Sequence, residues 1–210
     1  MTDYKFTQDW FHWAPQVWEQ LIPLLPEGET FGAADHGVRM FLEIGSFEGR
    51  SAVWIMEHMM RDHDYLHCVD TWQGGEEHSD QDMKAVWGRF CDNMDIAREK
   101  FPNRYYESFK GTSVQHLAHL LIEDPDEHPT YDFIYIDGSH IAKDVLTDAC
   151  MAWPLLKPAG IMVFDDYMWG NPRDVLHRPK VAIDAFCNIF AEEADIIHVG
   201  YQLVVRKKGE

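Results

Sequence analysis

Residues 40–49, MFLEIGSFEG, decide the fold of this chain. Met40–Ile44 is a short, mostly apolar run that stops at Gly45, which is typical of a buried strand followed by a sharp turn. Over residues 49–61, apolar side chains recur every three or four positions, as on the inward face of a helix. The stretch therefore predicts a strand, a tight glycine turn and a helix.

The same succession of strand and helix repeats about five times along the chain. Further strands are predicted at 66–69, 104–107, 131–136 and 161–164, with a terminal hairpin around Gly200. Helices are predicted at 9–25, 82–99, 113–122, 141–153 and 180–193, and a turn at 154–160. We expect an α/β fold, doubly wound and Rossmann-like, with a mostly parallel seven-stranded sheet and an antiparallel last strand.

The composition excludes several classes of protein. Of 210 residues, 46% are hydrophobic and 26% charged, as in a globular protein rather than a disordered one. The 18 basic and 36 acidic residues give a net charge of −18, which repels phosphate backbones and anionic lipid, so we expect neither nucleic acid nor membrane as a partner. The N-terminus has no secretory pattern and the four cysteines are scattered, so we expect a cytoplasmic protein.

In a sheet of this kind, ligands bind beyond the carboxyl ends of the strands. Gly45 and Gly49 bracket the first such position, and Asp70 stands at the tip of the second strand, 21 residues after Gly49. A carboxylate there can accept hydrogen bonds from two ribose hydroxyls. The plainer alternative is an ordinary turn and an aspartate that caps a helix.

A second group of polar residues follows two later strands. Asp137 and His140 come after the strand at 131–136, and Asp165 and Asp166 after the next. Neighbouring parallel strands would bring three carboxylates together, which is costly without protons or a cation. Oxygen ligands favour a hard ion, Mg²⁺ first, with Mn²⁺ or Ca²⁺ as alternatives. The alternative is that these acids cap helices and His140 is solvated.

Four segments carry a resemblance to a known family. They are, in order, FLEIGSFEGRSA (41–52), CVDTW (68–72), YDFIYIDGSH (131–140) and LLKPAGIMVFDDY (155–167). Together they resemble the motifs of class I S-adenosylmethionine-dependent methyltransferases, and most of all the metal-dependent small-molecule O-methyltransferases, including the macrolide-sugar group. The resemblance covers about residues 39–206. One departure is Phe47, where many members of the class have a second glycine.

The resemblance implies a role for each matching residue. The cofactor-binding residues would be Glu43, Gly45, Ser46, Gly49, Asp70, Trp72, Ser113 and Asp137. Among these, Asp70 would hold the ribose, and Ser113 and Trp72 would contact the adenine. The metal ligands would be Asp137, Asp165 and Asp166, and the catalytic residues His140, as general base, and Asp137.

The expected function is methylation of a hydroxyl on a small molecule, a sugar or natural product, with S-adenosylmethionine and a divalent cation as cofactors. Glu48 in the glycine turn would repel the diphosphate of a dinucleotide, whereas an acidic loop suits a sulfonium cation. A bound ion would lower the pKa of the hydroxyl, and His140 would take its proton. The alternatives are a nucleotide-cofactor-dependent oxidoreductase and a non-catalytic cofactor-binding module.

The chain divides into two predicted parts. Residues 1–38 form an N-terminal helical cap or extension, and residues 39–210 the methyltransferase domain. Trp10, Trp13 and Trp18 in the first part predict a cap over the substrate cleft or an interface in a homo-oligomer. The remaining expected partner is the small-molecule acceptor.

Overall fold

The computed structural model describes residues 3–29, 36–75, 78–123 and 130–209. Seven strands form one sheet: β1 (Met40–Ile44), β2 (Tyr65–Asp70), β3 (Tyr105–Lys110), β4 (Tyr131–Ile136), β5 (Leu156–Phe164), β6 (Ala194–Val199) and β7 (Leu203–Lys207). Their spatial order is β3-β2-β1-β4-β5-β7-β6. The first five strands are parallel, and β7 runs antiparallel to both β5 and β6. The predicted fold class is confirmed.

Helices connect the strands and pack against the sheet. They are α1 (Ala14–Leu21), α2 (Arg50–Trp54), α3 (Met83–Lys100), α4 (Ser113–Glu123), α5 (Ala142–Ala152) and α6 (Lys180–Ile189). Shorter 3₁₀ turns span Ile22–Leu24, Trp153–Leu155 and Val175–His177. Of the helices in the described ranges, none is long and apolar enough to cross a membrane.

The sheet is covered on both faces, which explains its sequence pattern. All six residues of β4 are buried, and so are four of the five residues of β1. One apolar cluster joins α1, α2 and α3 to one face of the sheet, and a second joins α5 and α6 to the other. A central parallel strand must be apolar on both sides, so the alternation of polar and apolar residues disappears in strands that are buried on both faces.

The predicted turn at 154–160 is wrong in its limits. Strand β5 already pairs with β4 at Leu156, opposite Tyr131, and pairing resumes at Ile161, opposite Phe133. The residues between bulge out, with Ala159 at a φ of +62°. Pro158 is tolerated in this bulge because no ladder hydrogen bond is required of it there.

The helix predicted at 49–61 changes from α-helix to π-helix along its length. Regular helix ends at Trp54, and Ile55–Met59 continue as a wider π-helical turn. The pattern of apolar spacing cannot distinguish these two forms, because both bury Ile55, Met56 and Met59. The helix predicted at 9–25 is shorter than expected, since its regular part covers only α1.

The N-terminal segment packs into the core of the sheet domain. Trp18 on α1 is fully buried, with its ring edge-on to those of Phe133 and Tyr135 at 5.3 and 4.7 Å. Its indole N–H donates to Gln202 Oε1 at 2.8 Å. Residues 1–2 and 30–35 of the predicted extension lie outside the described residues, and the division at residue 38 stays a prediction.

Candidate active site

A cavity of about 1,090 Å³ opens at the carboxyl ends of the parallel strands. Eight of the residues predicted for the site line it: Gly45, Ser46, Asp70, Ser113, Asp137, His140, Asp165 and Asp166. Within the described part of the chain, Glu43, Gly49 and Trp72 do not. Residues predicted for cofactor binding, metal binding and catalysis therefore line the same cavity.

Gly45 allows the tips of β1 and β4 to approach closely. Its φ is +89°, and a Cβ atom there would collide with the main-chain carbonyl of Asp137. Two hydrogen bonds extend the ladder past the strand ends, from the Gly45 N–H to Val69 O and from the Asp137 N–H to Ile44 O, both at 2.8 Å. A side chain at this position would push the strand tips apart and fill the cavity floor.

Asp70 holds the glycine turn in shape. Its Oδ2 accepts hydrogen bonds from the backbone N–H groups of Ser46 and Phe47, at 3.0 and 2.9 Å, and its Oδ1 accepts one from the Trp72 N–H at 2.7 Å. Phe47 itself has a φ of +46°, a conformation that this carboxylate supports. Because carboxylate oxygens have about four lone-pair sites, Asp70 keeps acceptor capacity toward the cavity.

Glu43 lies beneath the turn rather than in the cavity. It is fully buried, and burial raises the pKa of its carboxyl to about 7, although the hydroxyls of Ser46 and Ser51 favour the charged form. Glu43 does not line the cavity, and its contact with the cofactor stays a prediction.

Two further cofactor predictions need correction. Trp72 is 3% exposed and packs behind the loop against Trp87 and Phe90, with its indole N–H bonded to Phe47 O at 2.9 Å. Trp72, which has a φ of +46°, therefore packs in the core and does not line the cavity, where we expected it to contact the adenine. Gly49 also stays outside the cavity, where its φ of +79° begins α2 close to Phe90.

The charge argument for Glu48 also changes. Its carboxylate is buried, and its oxygens accept hydrogen bonds from Thr7 and Arg89. Glu48 lines the cavity, but Thr7 and Arg89 bind its carboxylate oxygens, so the protein itself compensates the negative charge. The acidic character of the cavity comes instead from Asp70 and the aspartates after β4 and β5.

The wall of the cavity beside Ser113 contains a buried acid, Asp148, that the sequence analysis did not predict. Ser113 at the start of α4 donates its hydroxyl to Asp148 Oδ1 at 2.6 Å. Burial raises the pKa of Asp148 to about 6, and Ser113 partly offsets this. Asp148 lies inside the predicted helix 141–153, and its only signal was an acid among the inward-facing positions of that helix.

The candidate metal centre consists of Asp137, His140 and Asp166. One ligand atom from each lies within 4.8 Å of the others, and no other such group occurs among the described residues. His140 Nε2 lies 2.6 Å from Asp166 Oδ2. Burial and the charges of Asp165 and Asp166 raise the pKa of Asp137 well above its usual range. A divalent cation would compensate this charge, and the carboxylates of Asp137 and Asp166 fit an ion bound through oxygen.

Asp165 stands next to this group but outside it. Its Oδ1 accepts the Asp166 N–H at 2.7 Å, and its Oδ2 accepts the hydroxyl of Tyr135. The same hydroxyl lies 3.0 Å from Asp137 Oδ2, and one proton cannot serve both carboxylates at once. Burial and the Asp166 charge raise the pKa of Asp165 to about 6. The prediction that Asp165 binds the metal remains untested.

We call the part of the cavity lined by Asp137, His140, Asp165 and Asp166 the acidic end. Aromatic residues from distant segments complete it. Tyr201, in the turn between β6 and β7, donates its hydroxyl to Asp166 Oδ1 at 2.8 Å. Trp169 packs on His140 with ring centroids 4.3 Å apart, and Trp13 packs edge-on to Tyr201 at 4.7 Å. Tyr201 was missed because nothing in the hairpin sequence shows that its turn reaches the strand tips.

Comparison with known proteins identifies the family. Residues 42–167, more than half of the chain, match a family model described as a methyltransferase domain, and the chain belongs to this family. The search of curated proteins gave no significant match. The sequence resemblance is thereby confirmed, and the oxidoreductase alternative has no support.

Solved structures share the fold at low sequence identity. The O-methyltransferase TomG from Streptomyces achromogenes, in complex with SAM, is 19% identical with a TM-score of 0.58, over 81% of this chain and 74% of that one. The calicheamicin methyltransferase CalS11 is 14% identical with a TM-score of 0.58, over 93% and 77%. MycE from the mycinamycin pathway, in complex with Mg and SAH, is 17% identical with a TM-score of 0.57, over 97% of this chain but 51% of that one.

Proposed function

We propose that this protein is an S-adenosylmethionine-dependent methyltransferase that methylates a hydroxyl group of a small molecule with the help of a divalent ion. The observation that carries the proposal is the single cavity shared by Gly45, Asp70, Asp137 and His140. Two proteins with the same fold support both cofactors: TomG was solved in complex with SAM, and MycE in complex with Mg and SAH.

The glycine-turn end of the cavity would hold the cofactor. Gly45 leaves room for a ligand against the main chain, and Asp70 offers acceptor oxygens to ribose hydroxyls. Ser113 and Asp148 would meet the adenine, whose amino group is a hydrogen-bond donor. The described residues of this end include the carboxylates of Asp70 and Asp148, which suit a nucleoside with a sulfonium cation.

The acidic end would hold the acceptor. Asp137 and Asp166 would bind the divalent ion, with Asp165 beside them, and Mg²⁺ or Mn²⁺ suits these donors. When bound, the ion lowers the pKa of the acceptor hydroxyl and S-adenosylmethionine supplies the methyl group. His140, oriented by Asp166 at 2.6 Å and by the ring of Trp169, takes the hydroxyl proton. The chain thus aligns the reactants and removes the proton from the acceptor hydroxyl oxygen.

We place the protein in the cytoplasm, as a methyltransferase domain from residue 39 preceded by a helical extension. All four cysteines are free thiols, which is typical of a reducing compartment.

Turnover measurements test the proposal. Transfer of labelled methyl from S-adenosylmethionine to a panel of hydroxylated small molecules should require Mg²⁺ or Mn²⁺, stop after treatment with EDTA and return when metal is restored. The His140→Ala variant should lose roughly 100-fold or more in kcat. Its affinity for Mn²⁺, measured by electron paramagnetic resonance, should stay within about threefold of the wild type, because the two aspartates remain.

The matched control is His119→Ala, which changes an exposed histidine of α4 outside the cavity. It should keep full activity. A large loss of Mn²⁺ affinity in His140→Ala would make His140 a metal ligand and remove its role as base. Activity that survives complete metal removal would refute the metal part of the proposal.

A further inference from the structure

A segment before α1 lies across the cofactor loop. We define residues 5–13 as the N-terminal strap. The backbone of Lys5 forms two hydrogen bonds with the side chain of Asn93 on α3, at 2.8 and 2.9 Å. Two residues on, the Thr7 N–H and hydroxyl both donate to the carboxylate of Glu48, each at 2.6 Å. The strap is therefore attached to specific side chains and not simply laid on the surface.

Glu48 is the centre of this attachment. Its side chain is 2% exposed, and its Oε1 also accepts a hydrogen bond from Arg89 Nε at 2.5 Å. The carbonyl of Glu48 accepts a further bond from Asn93 Nδ2 at 2.9 Å. One buried residue thus joins three elements: the glycine turn, α3 and the strap. Breaking a buried, hydrogen-bonded ion pair is far more disruptive than breaking an exposed one.

The strap continues from this attachment into the cavity wall. Gln8, Trp10, Phe11 and Trp13 all line the cavity. Trp10 packs against Phe47 with ring centroids 5.1 Å apart. At the other end of the strap, Trp13 packs against Tyr201, whose hydroxyl binds Asp166 of the candidate metal centre. The aromatic side chains of the strap therefore extend from the cofactor turn to the acidic end.

We propose that Glu48 is a positioning residue that fixes the strap, so that its aromatic side chains form one wall of the cavity, with Trp10 at the cofactor turn and Trp13 at the acceptor subsite. This inference rests on the proposed function. The acceptor it fits is a hydroxylated ring compound, because indole rings pack against the flat apolar face of a ring while the acidic end receives its hydroxyl. Glu48 thereby contributes to acceptor binding, although it lies in the loop that would hold the cofactor.

Two arginines on α3 provide a matched pair of variants. Arg89→Gln removes the cationic partner of buried Glu48, and Arg98→Gln removes an exposed pair with Asp95. Neither arginine lines the cavity. Hydrogen exchange of residues 5–13, with S-adenosylhomocysteine and Mg²⁺ present, should rise roughly tenfold in Arg89→Gln and stay unchanged in Arg98→Gln.

Kinetics then separates positioning from general destabilisation. For the first hydroxylated ring compound that the wild type methylates, Arg89→Gln should raise KM roughly fivefold or more and change kcat much less. Its Kd for S-adenosylhomocysteine should change less than about twofold. Trp13→Ala, which removes the ring that packs against Tyr201, should raise the same KM without changing exchange at Thr7.

Unchanged exchange of the strap in Arg89→Gln would overturn the inference, and so would a Kd for S-adenosylhomocysteine that rises as much as the acceptor KM. If the wild type bound no S-adenosylhomocysteine, the proposed function would fail instead. The exchange difference between the two arginine variants would still decide whether Glu48 holds the strap.

Discussion

The two ends of the cavity are built in different ways. The turn at the cofactor end comes from one short stretch of chain, in which the carboxylate of Asp70 holds the backbone N–H groups of Ser46 and Phe47. Ser113 and Asp148 add side chains to this end from two helices. The acidic end is assembled from segments far apart in sequence, including the strap, the region after β5 and the hairpin turn at Tyr201. A backbone-built end suits a constant cofactor, and a side-chain-built end suits an acceptor that differs between relatives.

The largest expected effect falls on the cofactor end. Gly45→Ala places a methyl group against the Asp137 carbonyl at a φ of +89°, so the strand tips must separate. We expect a loss of about 2–4 kcal/mol in the free energy of unfolding and no measurable binding of S-adenosylhomocysteine. Urea unfolding and calorimetry check these two results.

The matched control is Gly88→Ala on α3, where an added Cβ meets nothing within 4 Å. It should stabilise the protein by about 0.5–1 kcal/mol and leave ligand binding unchanged. Binding by Gly45→Ala within about tenfold of the wild type would show that the cofactor does not approach this turn.

A smaller effect is the pH dependence of stability that Glu43, beneath the cofactor turn, produces. The pKa of Glu43 is raised to about 7 by burial, so the folded state holds a proton that the unfolded state releases above a pH of about 4.5. The free energy of unfolding should therefore rise as the pH falls from about 8 toward 5, by up to about 3 kcal/mol from Glu43. His116 opposes this below about pH 6.5, because burial lowers its pKa to about 4 and the unfolded state takes up its proton first.

The Glu43→Gln variant should be more stable than the wild type at pH 8 and should lose the part of the pH dependence that Glu43 contributes, while the parts from Asp148 and Asp165, whose pKa values are raised to about 6, remain. Chemical denaturation at a series of pH values measures the difference. Glu19→Gln, at an exposed position on α1, should follow the wild-type curve. Equal curves for Glu43→Gln and the wild type would mean that Glu43 is ionised in the folded protein at neutral pH.

The smallest effect concerns the acidic end. Tyr201→Phe removes the hydroxyl that holds Asp166, and should lower Mn²⁺ affinity roughly tenfold while leaving S-adenosylhomocysteine binding unchanged. The exposed Tyr105→Phe on β3 should change neither quantity. Equal losses for both ligands in Tyr201→Phe would show that the two ends are not independent.

The same contrast explains how much could be predicted from the sequence. Strands β1 and β4 have the predicted bounds, because a parallel strand buried on both faces is a continuous apolar run. Gly45, Asp70 and Asp137 follow from strand ends and the fold alone. Residues contributed by remote segments, such as Tyr201 and Asp148, depend on tertiary packing that no local pattern encodes.

The errors have a common physical origin. Trp72 was predicted to contact the adenine, and the charge of Glu48 to repel a diphosphate, because both stand beside ligand-binding positions in sequence. Trp72 packs against Trp87 and Phe90 in the core, and Arg89 and Thr7 bind the carboxylate of Glu48. Position along a loop is predictable, but the direction of a side chain depends on partners from elsewhere in the chain.

A crystal structure with S-adenosylhomocysteine and Mn²⁺ tests the central claim most directly. We predict the ribose at Asp70, the sulfur between Gly45 and Asp137, and an anomalous manganese peak beside Asp137 and Asp166. A nucleoside bound elsewhere, or an empty cavity at saturating ligand, would contradict it.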